Sequence, residues 1–532
     1  MTKRKSEYKP LLFTTTVRNP KRLKALLNIL SRYNNKKLTN ELSKEIMGEL
    51  IRYGLYRPVK ASKQIIEKWS SKRITNSSEI GKILLTNEEV EKILKENPQN
   101  HKEAGFEKGW PSRFATVFDF AKELGFVYYW VDEKIVFSEI GLKLANSLKI
   151  EIEETDILIS EEHPEFEQQA FLHALTKYQR NNPFVRVANE NVPLILLLNV
   201  IKKLNADKDL NNAGISKMEL PLVIFWKDNN ADKLYKLIKS IRNKYGYSPS
   251  WEVIVDICVN EIMQGNFKKF KPKSIMVDYP DEFIRKMRLT GLISLRGGGR
   301  FIDINQNEIK KVEYILKEYS DYPKFDTEKD YFDYMAKTDD KLISISTKKV
   351  TIEETNKQLD KWISIYSWTL IKRELLILKE KALSKDEILK YLSNPTRLEF
   401  LISLAIKSKF PEVKVIPNYP CDDEGIPTST AGGIGDKGDI ECYENSNGIL
   451  IEVTMSEGRT QTVMEVWPIT RHLEKFKESV EESICYFVAP TIFQDSRRQI
   501  DYVKTNDNLT IHPKTIDEFV NFLESEKVLY QV

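Results

Sequence analysis

Asp439-Ile440-Glu441-Cys442-Tyr443-Glu444, then Asn445-Ser446-Asn447-Gly448, then Ile449-Leu450-Ile451-Glu452-Val453-Thr454 is the stretch of the 532-residue chain whose reading decides its fold. Two strand-like runs flank four turn-forming residues, the pattern of a β-hairpin. Closure on 445–448 pairs 444 with 449, which sets Asp439 opposite Thr454 and Glu452 opposite Glu441. Asp439 and Glu452 are then diagonal neighbours on one face, roughly 7–8 Å apart at the backbone. The second strand is otherwise apolar, and a carboxylate inside such a strand is costly unless a partner or a metal neutralises it. Two converging carboxylates are what a hard divalent cation requires.

Working outward, residues 393–532 read as an α/β domain with a central mixed sheet. A helix is expected around Leu398–Ser408, a strand at Val413–Ile416, a helix from about Thr460, a strand at Ile484–Val488 and a closing helix from Ile516. Gln461, Glu465 and His472 fall on one helical face at offsets of four and seven, provided that Pro468 only kinks the helix. Glu399 lies in the opening helix. With the hairpin acids these residues can surround one or two Mg²⁺ ions, which would orient a water for in-line attack on phosphorus. Gly433-Ile434-Gly435-Asp436-Lys437-Gly438 fits the dinucleotide fingerprint by letter. That motif needs a strand before it and a helix after it, and here a turn-rich loop precedes and a strand follows. The glycines are read as a flexible approach to Asp439.

Upstream, Gly109-Trp110-Pro111-Ser112-Arg113 precedes an apolar helical run from Phe114 to Leu124, which Gly125 stops. The strands Phe126–Trp130 and Ile135–Phe137 flank the turn 131–134, and Ser138-Glu139-Ile140-Gly141 opens a short helix. Helix, hairpin, helix is a winged-helix layout. It recurs in helical runs between Ser216 and Cys258, a helix from Phe283 to Leu289 ended by Gly291, and the strands Leu292–Leu295 and Phe301–Ile304. The second tip, Arg296-Gly297-Gly298-Gly299-Arg300, is basic and glycine-rich. Such units place a helix in a major groove and the wing along the backbone. Lys102, Lys108, Arg113, Arg296 and Arg300 are the candidate DNA contacts by position, with ordinary surface charge as the alternative for each.

The net charge of +4 conceals an uneven distribution. Residues 1–73 hold 19 Lys or Arg against 5 Asp or Glu, a surplus of 14, so the other 459 residues sum to −10. A basic start is an electrostatic footprint for phosphate backbone, or else a solvated arm. The 4 cysteines (258, 421, 442 and 485) form no CxxC pair and suggest neither zinc nor a disulfide framework, which points to a reducing cytoplasm. No run approaches the roughly 20 apolar residues of a membrane span, and no signal-peptide core follows the basic start. His101, His163, His173 and His512 show no ligand spacing and are read as structural.

The last 140 or so residues resemble the PD-(D/E)xK nucleases. More closely, they are similar to the AlwI-type restriction endonucleases, a family with nicking members. The matching segments are Gly435 to Glu441, Ile451-Glu452-Val453-Thr454, and Gln461, Met464-Glu465, Pro468 and Thr470-Arg471-His472. The similarity reaches upstream through Leu124-Gly125-Phe126-Val127 and Leu289-Thr290-Gly291-Leu292. It implies an α+β multidomain chain: winged-helix-like DNA-recognition domains over 1–160 and 161–320, a helical linker over 321–392, and a PD-(D/E)xK nuclease domain over 393–532. By the same resemblance Asp439 and Glu452 are the metal ligands, joined by the Val453 carbonyl. Glu465 and His472 assist from the helix, and Glu399 corresponds to the family's first-helix acid. Gly438 replaces the proline usual before the aspartate, and Thr454 stands where a lysine is usual. The family's nicking branch also carries Thr there. Lys437 and Arg471 are the candidates for the missing positive charge.

The function so implied is that of a prokaryotic, cytoplasmic, Mg²⁺-dependent type IIS restriction endonuclease or its nicking relative. It would read a short asymmetric site in double-stranded DNA and cut a few base pairs away. One nuclease domain has one active site, so cutting both strands needs a second copy or a small nuclease subunit. A companion methyltransferase would protect the same site, and no membrane is involved. The alternatives are a non-catalytic winged-helix DNA-binding regulator and a non-specific repair nuclease.

Overall fold

The computed structural model describes residues 6–13, 20, 22–69, 80–264, 271–429 and 437–531. The basic residues before position 6 and Gly433–Asp436 of the glycine motif lie outside these. The chain divides into two compact units. The first comprises 1–148, 152–157 and 165–347, and the second comprises 348–532 with the short segments 149–151 and 158–164. The stretch 321–392, read from sequence as one linker, is therefore shared between them. Among the described residues no helix is long and apolar enough to cross a membrane.

In the first unit α1 (Trp110–Glu123) starts four residues before the expected Phe114, because Pro111 fits the first helical turn, where its missing N–H is not needed. Gly125 ends it in the left-handed region, and a side chain there would overlap Met335. The hairpin that follows is shorter than expected: β1 (Val127–Tyr128) pairs with β2 (Val136–Phe137). The residues between turn to other partners. The Ile135 and Glu133 carbonyls accept from Asn35 and Leu38, both at 2.8 Å, and the Tyr129 hydroxyl donates to Asp119 at 2.8 Å. Ser138 caps α2 (Glu139–Asn146) by accepting from the Gly141 N–H at 3.1 Å.

The second hairpin is a fuller sheet. Strand β3 (Ile215–Ser216) pairs with β5 (Phe301–Ile304), which pairs with β4 (Ile293–Arg296). The preceding helix α3 (Tyr279–Arg288) is followed by Gly291 at φ 75°. Gly297, Gly298 and Gly299 all take left-handed backbone at the tip.

A half-buried acid makes this unit sensitive to pH. The Tyr178 hydroxyl donates to Glu123 at 2.9 Å. Burial, with the Asp119 charge adding to it, pushes the Glu123 carboxyl up to about 8 from 4.5. The folded state holds this proton more tightly than the unfolded chain. The stability it contributes is complete below pH 4.5 and lost as pH rises through about 8. Glu123→Gln keeps the acceptor for Tyr178 without the ionisation. Denaturant unfolding of this variant between pH 5 and 8 is expected to decline less steeply than that of the wild type, by up to about 1.4 kcal/mol per pH unit. Equal slopes would refute the assignment.

The second unit is a five-stranded mixed sheet flanked by helices. Helices α4 (Ile352–Ile365) and α5 (Trp368–Lys379) pack on α6 (Asn394–Lys409). Strands β6 (Lys414–Pro417), β7 (Ile440–Glu444) and β8 (Asn447–Val453) form an antiparallel run. Helices α7 (Arg459–Met464) and α8 (Val466–Ser479) lead to β9 (Ser483–Ala489), parallel to β8. Helix α9 (Gln494–Asp507), β10 (Ile511–Thr515) parallel to β9, and α10 (Ile516–Ser525) complete the order β10-β9-β8-β7-β6. β9 is buried at all seven positions, as a central parallel strand covered on both faces must be. One face of the sheet buries Leu450, Cys485 and Phe487 against Val466, Leu473, Phe476, Ile500 and Val503 of α8 and α9. α9 and β10 were not anticipated. The sequence of α9, with charge on most turns, has only Ser496, Ile500 and Val503 buried.

Candidate active site

The hairpin closes more tightly than the sequence suggests. Glu444 pairs with Asn447 and Ile440 with Ile451, so the turn is Asn445-Ser446 alone, with Asn445 at φ 56°. Gly448, expected in the turn, is in β8. A side chain there would lie 2.5 Å from Ser483 Oγ and 2.7 Å from Phe476 Cε1. It is glycine because a neighbouring strand and α8 approach it, not because the chain turns. The register is displaced by two, so no residue changes face, and Asp439 comes directly opposite Glu452 instead of diagonal to it. Glu441 faces Leu450.

At the open end of the hairpin the Val453 N–H donates to Asp439 Oδ2 at 2.8 Å. Beyond β6, the Asn418 N–H donates to the Asp439 carbonyl at 2.9 Å, and Asn418 Nδ2 donates to the Gly438 carbonyl at 2.7 Å. Asn418 thus clamps the backbone that carries Asp439. Nothing in its local sequence, Pro417-Asn418-Tyr419-Pro420, signals that role. Gly438 is a packing necessity: a Cβ would lie 2.5 Å from Leu450 Cδ1 and 2.6 Å from Glu452 Oε1. The family's proline has no room here.

Glu452 and Leu450 share the face covered by α8, and α8 returns His472, whose Nδ1 lies 2.8 Å from Glu452 Oε1. Glu465 occupies the break between α7 and α8, at φ −110° and ψ −47°. Its Oε1 accepts from Thr454 Oγ1 at 2.8 Å and from Ser456 Oγ at 2.7 Å. The helix breaks here and not at Pro468, which falls in the first turn of α8 and removes no helical hydrogen bond. Gln461 turns away from the acids. Its Nε2 donates to the Ser456 and Thr491 carbonyls at 3.2 and 2.9 Å, and its Oε1 accepts from the Phe493 N–H at 2.8 Å.

Burial pushes the Asp439 carboxyl well above the carboxylate range, with the neighbouring Glu452 charge adding to it and the Val453 N–H opposing. Glu452 is raised well above its ordinary value by burial and by the charge of Glu465. Burial also raises Glu465, against the Ser456 and Thr454 hydroxyls and the charge of His472. Three acids are thus brought together in a desolvated place, and Asp439 and Glu452 cannot both ionise there without a proton or a cation between them.

Glu399 is buried in α6, and its charge helps raise the Tyr419 hydroxyl. The charge that acts on Glu452 is that of Glu465. Lys437 and Arg471 are exposed, and among the described residues it is His472 that contacts Glu452. Among the proposed DNA contacts, Lys102, Lys108 and Arg300 are exposed. Arg113 is engaged by Gln99 at 3.2 Å and His101 at 2.8 Å. Arg296 is engaged by Asp303 at 2.8 Å. His173 bonds to the Met335 carbonyl, and His512 stacks on Tyr486.

The donor set fits a hard divalent cation: two carboxylates at one point, with the Val453 carbonyl on the same strand end. Among the described residues no group of three or more His, Cys, Asp or Glu stands at metal-ligating spacing.

No curated protein matches the chain. Similar solved structures include the small subunit, R.BspD6I2, of the heterodimeric restriction endonuclease R.BspD6I. It is 24% identical over 30% of this chain and 82% of that one, with a TM-score of 0.25. Restriction endonuclease FokI is 12% identical over 98% of this chain and 96% of that one, with a TM-score of 0.27. These likenesses are too low to carry an argument. The family model of the AlwI restriction endonuclease, by contrast, matches residues 122–365 and 339–522, most of the chain. The chain belongs to the AlwI restriction endonuclease family and is a DNA-cleaving hydrolase.

Proposed function

We propose that the chain is a Mg²⁺-dependent type IIS restriction endonuclease or nicking enzyme, with Asp439, Glu452 and the Val453 carbonyl holding the cation. The observation that carries this reading is the facing pair Asp439 and Glu452, both pushed well above the carboxylate range at one strand end. A bound divalent cation would neutralise the pair, polarise a phosphoryl oxygen and bring a water to the phosphorus. The rest falls to the protein's own groups. Val453 N–H and Asn418 orient Asp439, and His472 Nδ1 fixes Glu452 Oε1. Glu465 would accept a proton from the attacking water, and His472, whose charge acts on it, would stand in for the family's lysine. Glu399, buried in α6, would be the family's first-helix acid by the resemblance alone.

In this reading the first unit recognises a short asymmetric duplex site through its two winged-helix-like parts, with Lys102, Lys108 and Arg300 as exposed backbone contacts. Arg113 and Arg296 contribute by shaping that surface. The second unit cuts to one side. Double-strand cleavage calls for a second copy or a small nuclease subunit, and a companion methyltransferase would protect the same site.

Purified protein incubated with unmethylated supercoiled plasmid and Mg²⁺ is expected to yield nicked circles or discrete fragments, and EDTA should stop the reaction. Run-off sequencing of the ends should place every cut at one distance from one sequence. A smear would favour a non-specific nuclease. Intact plasmid under every divalent cation would leave only a DNA-binding role.

A further inference from the structure

The geometry around Glu465 points to a positioning device in the loop after β8, and the inference rests on the active site just proposed. We infer that Thr454 and Ser456 are positioning residues that hold the Glu465 carboxylate in working orientation beside Asp439 and Glu452. Both hydroxyls converge on the same oxygen, Glu465 Oε1, at 2.8 and 2.7 Å. Thr454 Oγ1 accepts the Ser456 N–H at 3.0 Å and donates its own proton to Glu465 Oε1, joining the loop backbone to the carboxylate. With Oε1 held twice, rotation of the carboxylate is blocked and Oε2 is presented for chemistry.

These hydroxyl bonds are not what anchors the loop. The Thr454 N–H donates to the Val488 carbonyl at 3.0 Å, continuing the β8–β9 ladder. Gln461 holds the Ser456 carbonyl, and Lys381 pairs with Glu457 at 3.3 Å. Glu465 is fixed from its own side as well: its N–H donates to the Gln461 carbonyl at 3.1 Å, and its carbonyl accepts from the Ile469 N–H at 3.0 Å. Loop and helix junction are each secured by other bonds; the Ser456 hydroxyl acts on the carboxylate, and the Thr454 hydroxyl joins the carboxylate to the loop through the Ser456 N–H. A carboxylate crowded by two others would otherwise turn away from them toward water.

The test is plasmid cleavage with Mg²⁺ by Ser456→Ala, Thr454→Val, the double variant and the conservative Thr454→Ser, beside Asp439→Ala. The double variant is expected to lose about 100-fold in kcat, the low end of what a positioned proton acceptor contributes, with KM for plasmid within about 2-fold of wild type. Thr454→Ser restores the hydroxyl and should cleave nearly as the wild type does. The inference is overturned if the double variant cleaves at the wild-type rate while Asp439→Ala is inactive. It is equally overturned if the loss appears in KM, or if Thr454→Ser is as impaired as Thr454→Val. Should the double variant melt early, Ser456→Ala in the part-exposed loop carries the test alone, with about a 10-fold loss in kcat expected at unchanged KM. Cleavage by Asp439→Ala would instead remove the reading of the site, and this inference with it.

Discussion

Asp439→Asn is expected to abolish cleavage and, in the absence of divalent cations, to leave the protein at least as stable as the wild type. The two effects have one cause. In the wild type, Asp439 and Glu452 face one another in a desolvated place, and each is raised well above the carboxylate range. Their folded values lie above the unfolded ones, so the stability they contribute is complete in acid and lost as pH rises. At pH 8 without a cation the pair is therefore a liability. Asn keeps an oxygen for the Val453 N–H and removes one charge, which ends the conflict. It also removes a ligand for the cation, and several kcal/mol of transition-state stabilisation, roughly 10³-fold in rate or more, should go with it. Thermal unfolding with EDTA and with Mg²⁺, at pH 6 and 8, checks the coupling. Mg²⁺ should raise the wild-type Tm most at pH 8 and barely move the variant. If Mg²⁺ stabilises both proteins equally, the pair is not the cation site.

Gly438→Ala should be nearly as damaging, although it removes no functional group. The added methyl would lie 2.6 Å from Glu452 Oε1 and 2.5 Å from Leu450 Cδ1. Leu450 is packed in the apolar cluster under α8 and α9 and has little room to yield. Glu452 must then move, and with it the contact to His472. Overpacking of this kind costs about 1–3 kcal/mol of stability, and a ligand displaced by about 1 Å costs about 100-fold in rate. A cleavage assay beside a melt separates the two. A variant that melts lower yet cleaves at the wild-type rate would show that Glu452 does not need its present position.

Much of the second unit is legible in the amino-acid order. The apolar run Ile484–Val488 announces the central strand, and the strand-like runs 439–444 and 449–453 on either side of turn-forming residues announce the hairpin. Side chains alternate with a period of two, so a register error of two residues still places Asp439 and Glu452 on one face. The error arose at Gly448, whose usual meaning is a turn. Phe476 and Ser483, far along the chain, use the missing side chain for close packing. The helix break was misplaced for a related reason: Pro468 is the residue that breaks helices, yet in a first turn it breaks nothing. The charged surface was least legible. Arg113 and Arg296 look like free basic residues in sequence, and only the fold shows that Gln99, His101 and Asp303 engage them.

By itself, the sequence determined the mixed α/β unit, its acidic hairpin and the face on which the acids lie, because strand periodicity and local turn chemistry suffice for these. Tertiary structure decided how the acids meet and what holds them. Asn418 reaches Gly438 from another strand, His472 reaches Glu452 from α8, and Thr454 and Ser456 reach Glu465 across a helix junction. Each of these contacts depends on the packing of elements distant in the chain, which no local pattern of residues encodes.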